Sequence, residues 1–578
     1  MSAPRSADVF AIAAWAGAVF GIAEGGVLAL TRQFPLIVAP YKTSAHILWV
    51  APALNVVLFL FAAIGLVAVL RVRFVTRRLR SDRLAAVATF TFLGLLGVLT
   101  APKVLHPASA TLLAAGLAAF AWRSARRHED RLRRLREFAA FVPLMIASLG
   151  AGTAGALRAR ELFREAKSPS DDAINVLIVV LDTVRRDHFS WAADSSFTPN
   201  IDAFAQRGVR YQNAWAVSSW SLPSQASILT GAYPHEHNAD WPSLSLSRET
   251  LTMAEYFSGR GYDTGAFSSN SSWITPEYVG RGFDKFDAYT MEDHFRRTAY
   301  GRLLSQFSNL FGLHYAGRGR RASELNESLL NFLGERRSRP FFAFVCYMDA
   351  NRELHHRQLN HPFWRKPAPV ADQVAAYRNG LRRLDFDVGD LLASLARRGL
   401  LANTIVVITS DHGESFGSGH LADRDPSGHG TSLFPEQVRV PLFVVFPPRI
   451  PTGRTVTSTV SLRGVPASIA YLIGDSSSKF PGAPLPELGY ESRAGQPERA
   501  ALATLHYGDR NVVSVVQGNW QYIRERHDGI EREHLIDVQA EQRGASAQRA
   551  SPPPPDSMRA SLSRLLRATP QASRSEAR

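Results

Sequence analysis

One cysteine in 578 residues, Cys346, excludes any disulfide within the chain, so an exported domain here must be held together by its core alone. Cys346 stands in the apolar run FFAFVCYM and reads as buried strand filler. No internal repeat is present, which excludes repeat architectures. No basic start precedes the first apolar run apart from Arg5, and further apolar runs follow it, so a cleaved signal peptide fits poorly. Acidic residues are the scarcer charge, 51 against 66 basic, for a net charge of +15. That excess is local. The segments RVRFVTRRLRSDR (71–83) and RSARRHEDRLRRLR (123–136) each carry +5, and the tail from Ser546 adds +4. The basicity therefore belongs to loops and tail, and a nucleic-acid partner has no support from it.

What is present divides the chain into three. Apolar runs at about 9–30, 45–70, 84–99, 108–122 and 138–157 are near the length of bilayer-spanning helices. The third and fourth are short and are also compatible with one re-entrant pair. The arginine-rich segments follow the second and fourth runs, whereas the alternate loops carry only Arg32 and Lys42, or Lys103. Arginine-rich loops stay in the cytoplasm. This predicts a transmembrane region of about five helices over 1–165, an inside amino terminus, and everything beyond about Arg158 outside. A catalytic-type domain is expected over 171–545. A disordered basic tail is expected over 546–578, where a proline run joins small and basic residues.

The middle alternates apolar strand-like runs with helical patterns, which suggests an α/β fold on a parallel or mixed sheet. The strand candidates NVLIVVLD, FFAFVCYM, TIVVITSD and VPLFVVFP are almost continuously apolar, as central strands should be. Two of them end in an aspartate, Asp182 and Asp411. In such folds ligands collect at the carboxyl ends of strands, and a carboxylate followed at once by an imidazole, as in Asp411-His412, suits a divalent metal. The stretch VSSWSLPSQASILTGAYPHEHN places Ser221 on the lip of a short helix, with Pro223 at its first position and Gly231 as its stop. There it is either a helix cap or a nucleophile beside free N–H groups that favour an anion.

Seven segments in order resemble the sulfatase family of the alkaline-phosphatase superfamily: NVLIVVLDTVRRDH, TPNIDAFAQRGVRYQNAWA, SLPSQASILTG, YMDA, TIVVITSDHGESFG, GHGTSLFPEQVRVPLFV and the closing GNWQYI…HLIDV. The resemblance runs from Asn175 to about Asp537 and leaves out the membrane runs. Together with the apolar runs ahead of it, it gives the expected architecture: a multi-span α-helical membrane region followed by an α/β alkaline-phosphatase/sulfatase-like domain with a central mixed β-sheet, the latter implied by the resemblance. Residue by residue, it makes Asp182, Asp411 and His412 ligands of one divalent metal ion, with Ca, Mn, Mg and Zn all open. Ser221 becomes the nucleophile and a further metal contact. His429, in SGHG, falls where the family steadies a substrate oxygen or the leaving group, and His420 is a weaker second candidate. Structural readings stay open for each: a cap, a solvated strand-end aspartate, a loop histidine.

Three departures qualify the resemblance. Thr183 follows Asp182 where many sulfatases have a second aspartate, which leaves one carboxylate fewer and moves the pattern toward phosphonate-ester hydrolases and lipid-headgroup transferases. Gln225 stands at the arginine position of the motif read by formylglycine-generating enzymes, so formylglycine at Ser221 is not expected. Asn351 replaces a substrate-binding histidine in YMDAN, with His355 and His356 nearby. The resulting expectation is a membrane-anchored, metal-dependent sulfatase-like hydrolase of sulfate or phosphate esters. Its place is the extracytoplasmic face of the plasma (bacterial inner) membrane, and a lipid or cell-envelope glycan is a candidate substrate. The alternatives are a phosphoryl headgroup transferase of the phosphoethanolamine or phosphoglycerol type, and an inactive membrane scaffold or sensor.

Overall fold

The computed structural model describes residues 5–31, 45–71, 82–102, 105–162, 173–192, 197–310, 319–335, 339–351, 353, 369–417, 427–475, 479–488, 500–508, 510–538 and 556–567. The chain forms two compact units, Met1–Glu165 with Tyr289–Arg318, and Ala166–Ala288 with Gly319–Arg578.

In the first unit the helices are α1 (Arg5–Thr31), α2 (Ile47–Leu70), α3 (Asp82–Thr100), α4 (Pro107–Arg126), the short α5 (Glu129–Glu137) and α6 (Phe141–Leu162). The five long ones coincide with the five apolar runs. By length and composition α1, α2 and α3 are able to cross a membrane, and α6 holds a shorter apolar stretch, Phe141–Thr153. Glycine lets α1 and α2 approach closely: a Cβ on Gly17 or Gly21 would come within 2.7 or 2.3 Å of the backbone at Val56 or Pro52. Val9, Ile12, Phe59, Ala63, Ala86 and Phe90 form the packed centre. At the starts of α1 and α3, Arg83 Nη2 donates to Asp8 Oδ2 at 2.5 Å.

The second unit is built on a nine-stranded mixed sheet. Its strands are β1 (Asn175–Leu181), β2 (Val209–Trp215), β3 (Asp263–Ser268), β4 (Lys285–Asp287), β5 (Phe341–Tyr347), β6 (Thr404–Thr409), β9 (Arg439–Val445), β10 (Arg454–Val456) and β11 (Val460–Ser461). The order is β10-β2-β9-β6-β1-β5-β3-β4, with β11 beside β2. β9 runs antiparallel to both β2 and β6, and the other pairs are parallel. The short β7 (Ser415–Phe416) and β8 (Ser427–Gly428) pair with each other. All four apolar runs singled out in the sequence are strands of this sheet. β1 is buried along its whole length because its alternate residues feed two cores: Val176, Ile178 and Val180 face one, and Leu177, Val179 and Leu181 the other.

Among the covering helices are α7 (Ser221–Thr230) and the 28-residue α8 (Val370–Arg397). α8 buries Tyr377, Leu381, Leu384, Val388, Leu391 and Leu395 at helical spacing. A four-stranded antiparallel sheet follows, β12 (Ala500–Tyr507), β13 (Arg510–Gln517), β14 (Trp520–His527) and β15 (Ile530–Asp537). The tail departs from the expected disorder, because Asp556–Arg567 is a helix, α9. Met558 and Leu562, one turn apart, are buried against Leu502, Val513, Val515 and Tyr522 of that sheet. Arg559 pairs with Glu533 at 2.9 Å. The apolar stripe outweighs the basic composition.

Candidate functional site

Parallel pairing of β1 and β6, with Val180 opposite Thr409, carries both strands to the same sheet edge, where they end in Asp182 and Asp411. Both carboxylates are fully buried, and so is His412. One ligand atom from each of the three lies within 4.8 Å of the others. The turn beyond β1 is fixed from several directions. Thr183 adopts φ +66°, a strained region for a β-branched residue, while Val184 N donates to Ser410 Oγ at 2.9 Å and Tyr377 Oη to Thr183 O at 3.0 Å.

Ser221 is the first residue of α7, so the helix starts two residues earlier than the sequence suggested and Pro223 sits in its first turn, where the N–H groups have no intrahelical partner anyway. Trp220 is the N-cap, with no side-chain cap bond, and Gly231 ends the helix at φ +70° as expected. The Ser221 hydroxyl is not a cap. Its Oγ lies 3.3 Å from Asp182 Oδ2 and 3.2 Å from His412 Nε2, and it accepts from Asn270 Nδ2 at 3.2 Å. Ser221 is only 3% exposed.

Two residues that sequence reasoning missed complete the centre. Asn270 lies just past the end of β3; its Oδ1 accepts from Trp273 N at 3.0 Å, which turns its Nδ2 toward Asp182 and Ser221. Glu414, fully buried, accepts from His429 Nδ1 at 2.9 Å. The His429 ring packs 4.5 Å from that of His412. The structure thus brings Asp182, Ser221, Asp411, His412 and His429 together. His420, His355 and His356 lie outside the described residues.

The three departures acquire positions. Gln225 Nε2 donates to Asp411 Oδ2 at 2.6 Å and reaches Cys346 Sγ at 3.3 Å, so it holds a metal-type carboxylate in place. Asn351 is buried, with Nδ2 3.4 Å from Asp182 Oδ1. Thr183 stays buried beside Asp411, with its N–H 3.4 Å from Oδ1. Among the described residues, Thr183 Oγ1, Gln225 Oε1, Asn351 Oδ1 and Glu414 Oε1 are buried without a hydrogen-bond partner.

Burial, and for Asp182 also the neighbouring charge of Asp411, pushes both carboxyls up to about 6. Burial and the proximity of His429 push His412 down to about 4. Burial alone would depress His429, but the charge and hydrogen bond of Glu414, helped by Asp182 and Asp411, push it up to about 9. Two crowded carboxylates, a neutral imidazole and orphaned oxygen acceptors are the donor set a hard or borderline divalent cation neutralises, so these residues fit such an ion.

Comparison with known proteins decides the family. The Sulfatase family model matches residues 174–474, more than half of the chain. The chain belongs to the sulfatase family. It is 26% identical over 333 residues to an ulvan-active sulfatase of Formosa agariphila, an alignment that takes in 53% of this chain and 62% of that relative. It is 27% identical over 310 residues to an endo-4-O-sulfatase of Bacteroides thetaiotaomicron, covering 46% of this chain and 60% of the relative. The alignments thus span about three-fifths of these relatives' lengths. The phosphonate monoester hydrolase of Agrobacterium radiobacter shares the fold, with a TM-score of 0.51 at 19% identity over 68% of this chain and 94% of that one. Membership of the sulfatase family agrees with the resemblance read from the seven segments.

Proposed function

We propose that this member of the sulfatase family is a metal-dependent hydrolase of sulfate or phosphate monoesters that uses unmodified Ser221 as its nucleophile. The observation that carries the reading is the buried Ser221 Oγ, 3.2–3.3 Å from Asp182, His412 and Asn270 where three strands end. A cap or a core serine has no reason to face two metal-type ligands. Asp182, Asp411 and His412, with Ser221 Oγ, would hold one divalent cation, which when bound supplies positive charge beside the ester and lowers the pKa of the hydroxyl.

The chain's own groups do the rest. Gln225 and the backbone N–H of His412 orient Asp411. Asn270 offers its amide N–H groups to Ser221 and Asp182, which positions the hydroxyl. Ser221 Oγ releases its proton to solvent and bonds to sulfur or phosphorus as the bond to the alcohol oxygen breaks. His429, held through Nδ1 by Glu414, has its other ring nitrogen left to protonate the departing oxygen. Water then cleaves the Ser221 ester, restoring the hydroxyl and releasing sulfate or phosphate.

Within that reading Gln225 favours phosphate monoesters over sulfate esters and adds phosphonate monoesters as a second substrate class. It occupies the position of the arginine on which formylglycine formation depends, and an ordinary serine lacks the hemiacetal exit that suits sulfate release. The convergence of the four metal-site side chains speaks against an inactive scaffold. The arginine-rich segments support a multi-pass protein of the plasma membrane with this domain on the extracytoplasmic side. There the substrate is a sulfated or phosphorylated glycan or lipid of the envelope. Purified full-length protein is to be screened against aryl sulfate, aryl phosphate mono- and diesters and a phosphonate ester, each with Ca, Mg, Mn and Zn. Cation-dependent turnover that disappears in Ser221→Ala is expected; no turnover of any ester with any cation would overturn the reading.

A further inference from the structure

Between β4 and the helix Ala322–Gly334 the chain leaves the sulfatase sheet for thirty residues, Tyr289–Arg318, and these belong to the compact unit of the N-terminal helices. Two helices are described in this insert, Met291–Arg297 and Ala299–Leu310. Their join is tight: Thr298 Oγ1 accepts from Gly301 N at 3.0 Å, and a Cβ on Gly301 would fall 1.9 Å from Phe295 O.

The N-terminal helices present matched seats for this segment. Glu24 of α1 is 1% exposed although it sits in a long apolar helix. Its two carboxylate oxygens are divided between donors: Asn55 Nδ2 of α2 at 2.8 Å, and the backbone N–H of Ala299, which opens the second insert helix, at 2.5 Å. An acid among apolar helices is retained when fixed donors answer it, and here one of the two donors comes from the insert. Next to it, the Tyr300 ring lies 6.1 Å from Phe59 and against Gly97, where a Cβ would be 3.2 Å from Tyr300 Cε2. The Tyr300 hydroxyl donates to Leu93 O. Arg302 Nη2 donates to Thr100 O at 3.0 Å and reaches Ala101 O at 3.4 Å, which satisfies carbonyls that the end of α3 leaves open. His46, ahead of α2, and His294 bring their rings to 6.0 Å.

All of these seats lie toward one end of the bundle, where α1 and α3 finish and α2 begins. The Asp8–Arg83 pair, at the starts of α1 and α3, marks the opposite end. We propose that the helices Met291–Arg297 and Ala299–Leu310 are an intramolecular anchor: a segment borrowed from the sulfatase-domain sequence that docks into the N-terminal helices with Glu24 and Gly97 as its receptor. It gives the domain a second attachment to the membrane region besides the linker after α6.

The test needs no enzyme activity, so its outcome is separable from that of the ester-hydrolase reading. A specific protease site is placed within linker 163–172 of the full-length protein in native membranes. After cleavage and a high-salt wash, the carboxyl-terminal fragment is measured in pellet and supernatant. The fragment is expected to stay in the pellet. In Glu24→Ala and in Gly97→Leu, which blocks the Tyr300 seat, its release should rise about tenfold, because cleavage has removed the linker and the substitution weakens the remaining attachment. Both variants change only the N-terminal helices, and circular dichroism of the released fragment verifies that the domain remains folded. Release from the unsubstituted protein, or equal retention in both variants, would overturn the anchor.

Discussion

The helical unit and the candidate site of the sulfatase unit bury charge in different ways. In the helical unit each buried acid among the described residues is answered by a fixed donor: Asp8 by the Arg83 guanidinium, Glu24 by Asn55 and the Ala299 N–H. In the sulfatase unit Asp182 and Asp411 converge on one site, where their donors among the described residues include the Ser221 hydroxyl, the amides of Asn270, Asn351 and Gln225 and backbone N–H groups. Burial raises both carboxyls, the charge of Asp411 raises that of Asp182 further, and around them lie the orphaned oxygens of Thr183, Gln225, Asn351 and Glu414. A satisfied buried acid is structural, and a crowded unsatisfied set is a place for a ligand. The same contrast separates a histidine in the domain itself: His237 is fully buried, with Nδ1 accepting from Ala239 N at 3.0 Å and Nε2 between Ser227 Oγ and Pro223 O.

The contrast breaks first at Ser221. Ser221→Ala is expected to lower turnover by about 10^3-fold or more, because the attacking oxygen is gone, while the melting midpoint hardly moves. Steady-state rates beside thermal melts check both halves. Asp411→Asn follows, with cation affinity and turnover falling together by about 10^2-fold, the upper range for outer-shell losses and a lower bound for a direct ligand. Equilibrium dialysis of the cation is the measurement, and unchanged binding would remove Asp411 from the site. Glu414→Gln keeps shape but not charge; loss of about 10- to 10^2-fold in kcat with KM little changed is expected for a group that acts through His429.

Legibility in the sequence followed the same division. β1, β5, β6 and β9 were readable because strands buried on both faces are nearly pure apolar runs, and Asp182 and Asp411 were readable because they stop two of those runs. Asn270 was not, since SSNSSW has no periodicity and only the parallel register of β3 with β5 carries it to the centre. Glu414 stood in the quoted DHGE, but its role needs His429, fifteen residues on, beside it. The insert hid for a different reason: an amphipathic helix inside a domain sequence reads as packing on that domain, and no local signal says that its partners are 201 to 275 residues upstream. In the tail, the one-turn spacing of Met558 and Leu562 was the signal, masked by the proline run and the arginines.

Smaller effects sharpen the contrast. Burial pushes His237 down to about 3, so it is neutral in the fold and binds a proton on unfolding once the pH drops below the ordinary histidine range. Its contribution is full above about pH 6.5 and is lost as pH falls toward 3, a loss of about 2 kcal/mol by pH 5. Denaturant melts of the protein and of His237→Gln between pH 7 and 5 should converge as pH falls. Arg83→Ala, in the helical unit, is expected to cost about 1 kcal/mol of stability in detergent and nothing in turnover per folded molecule.

The most direct test of the central claim is the chemical state of Ser221 during turnover. Full-length protein from its native host is incubated with a slow phosphate monoester and the required cation, quenched in acid and digested, and the peptide that contains Ser221 is weighed. The account predicts an unmodified serine before substrate and a phosphoryl group on Ser221 after it. A peptide lighter by two hydrogens, the mark of an aldehyde, or a persistent absence of any adduct on Ser221 while the ester is consumed, would contradict it.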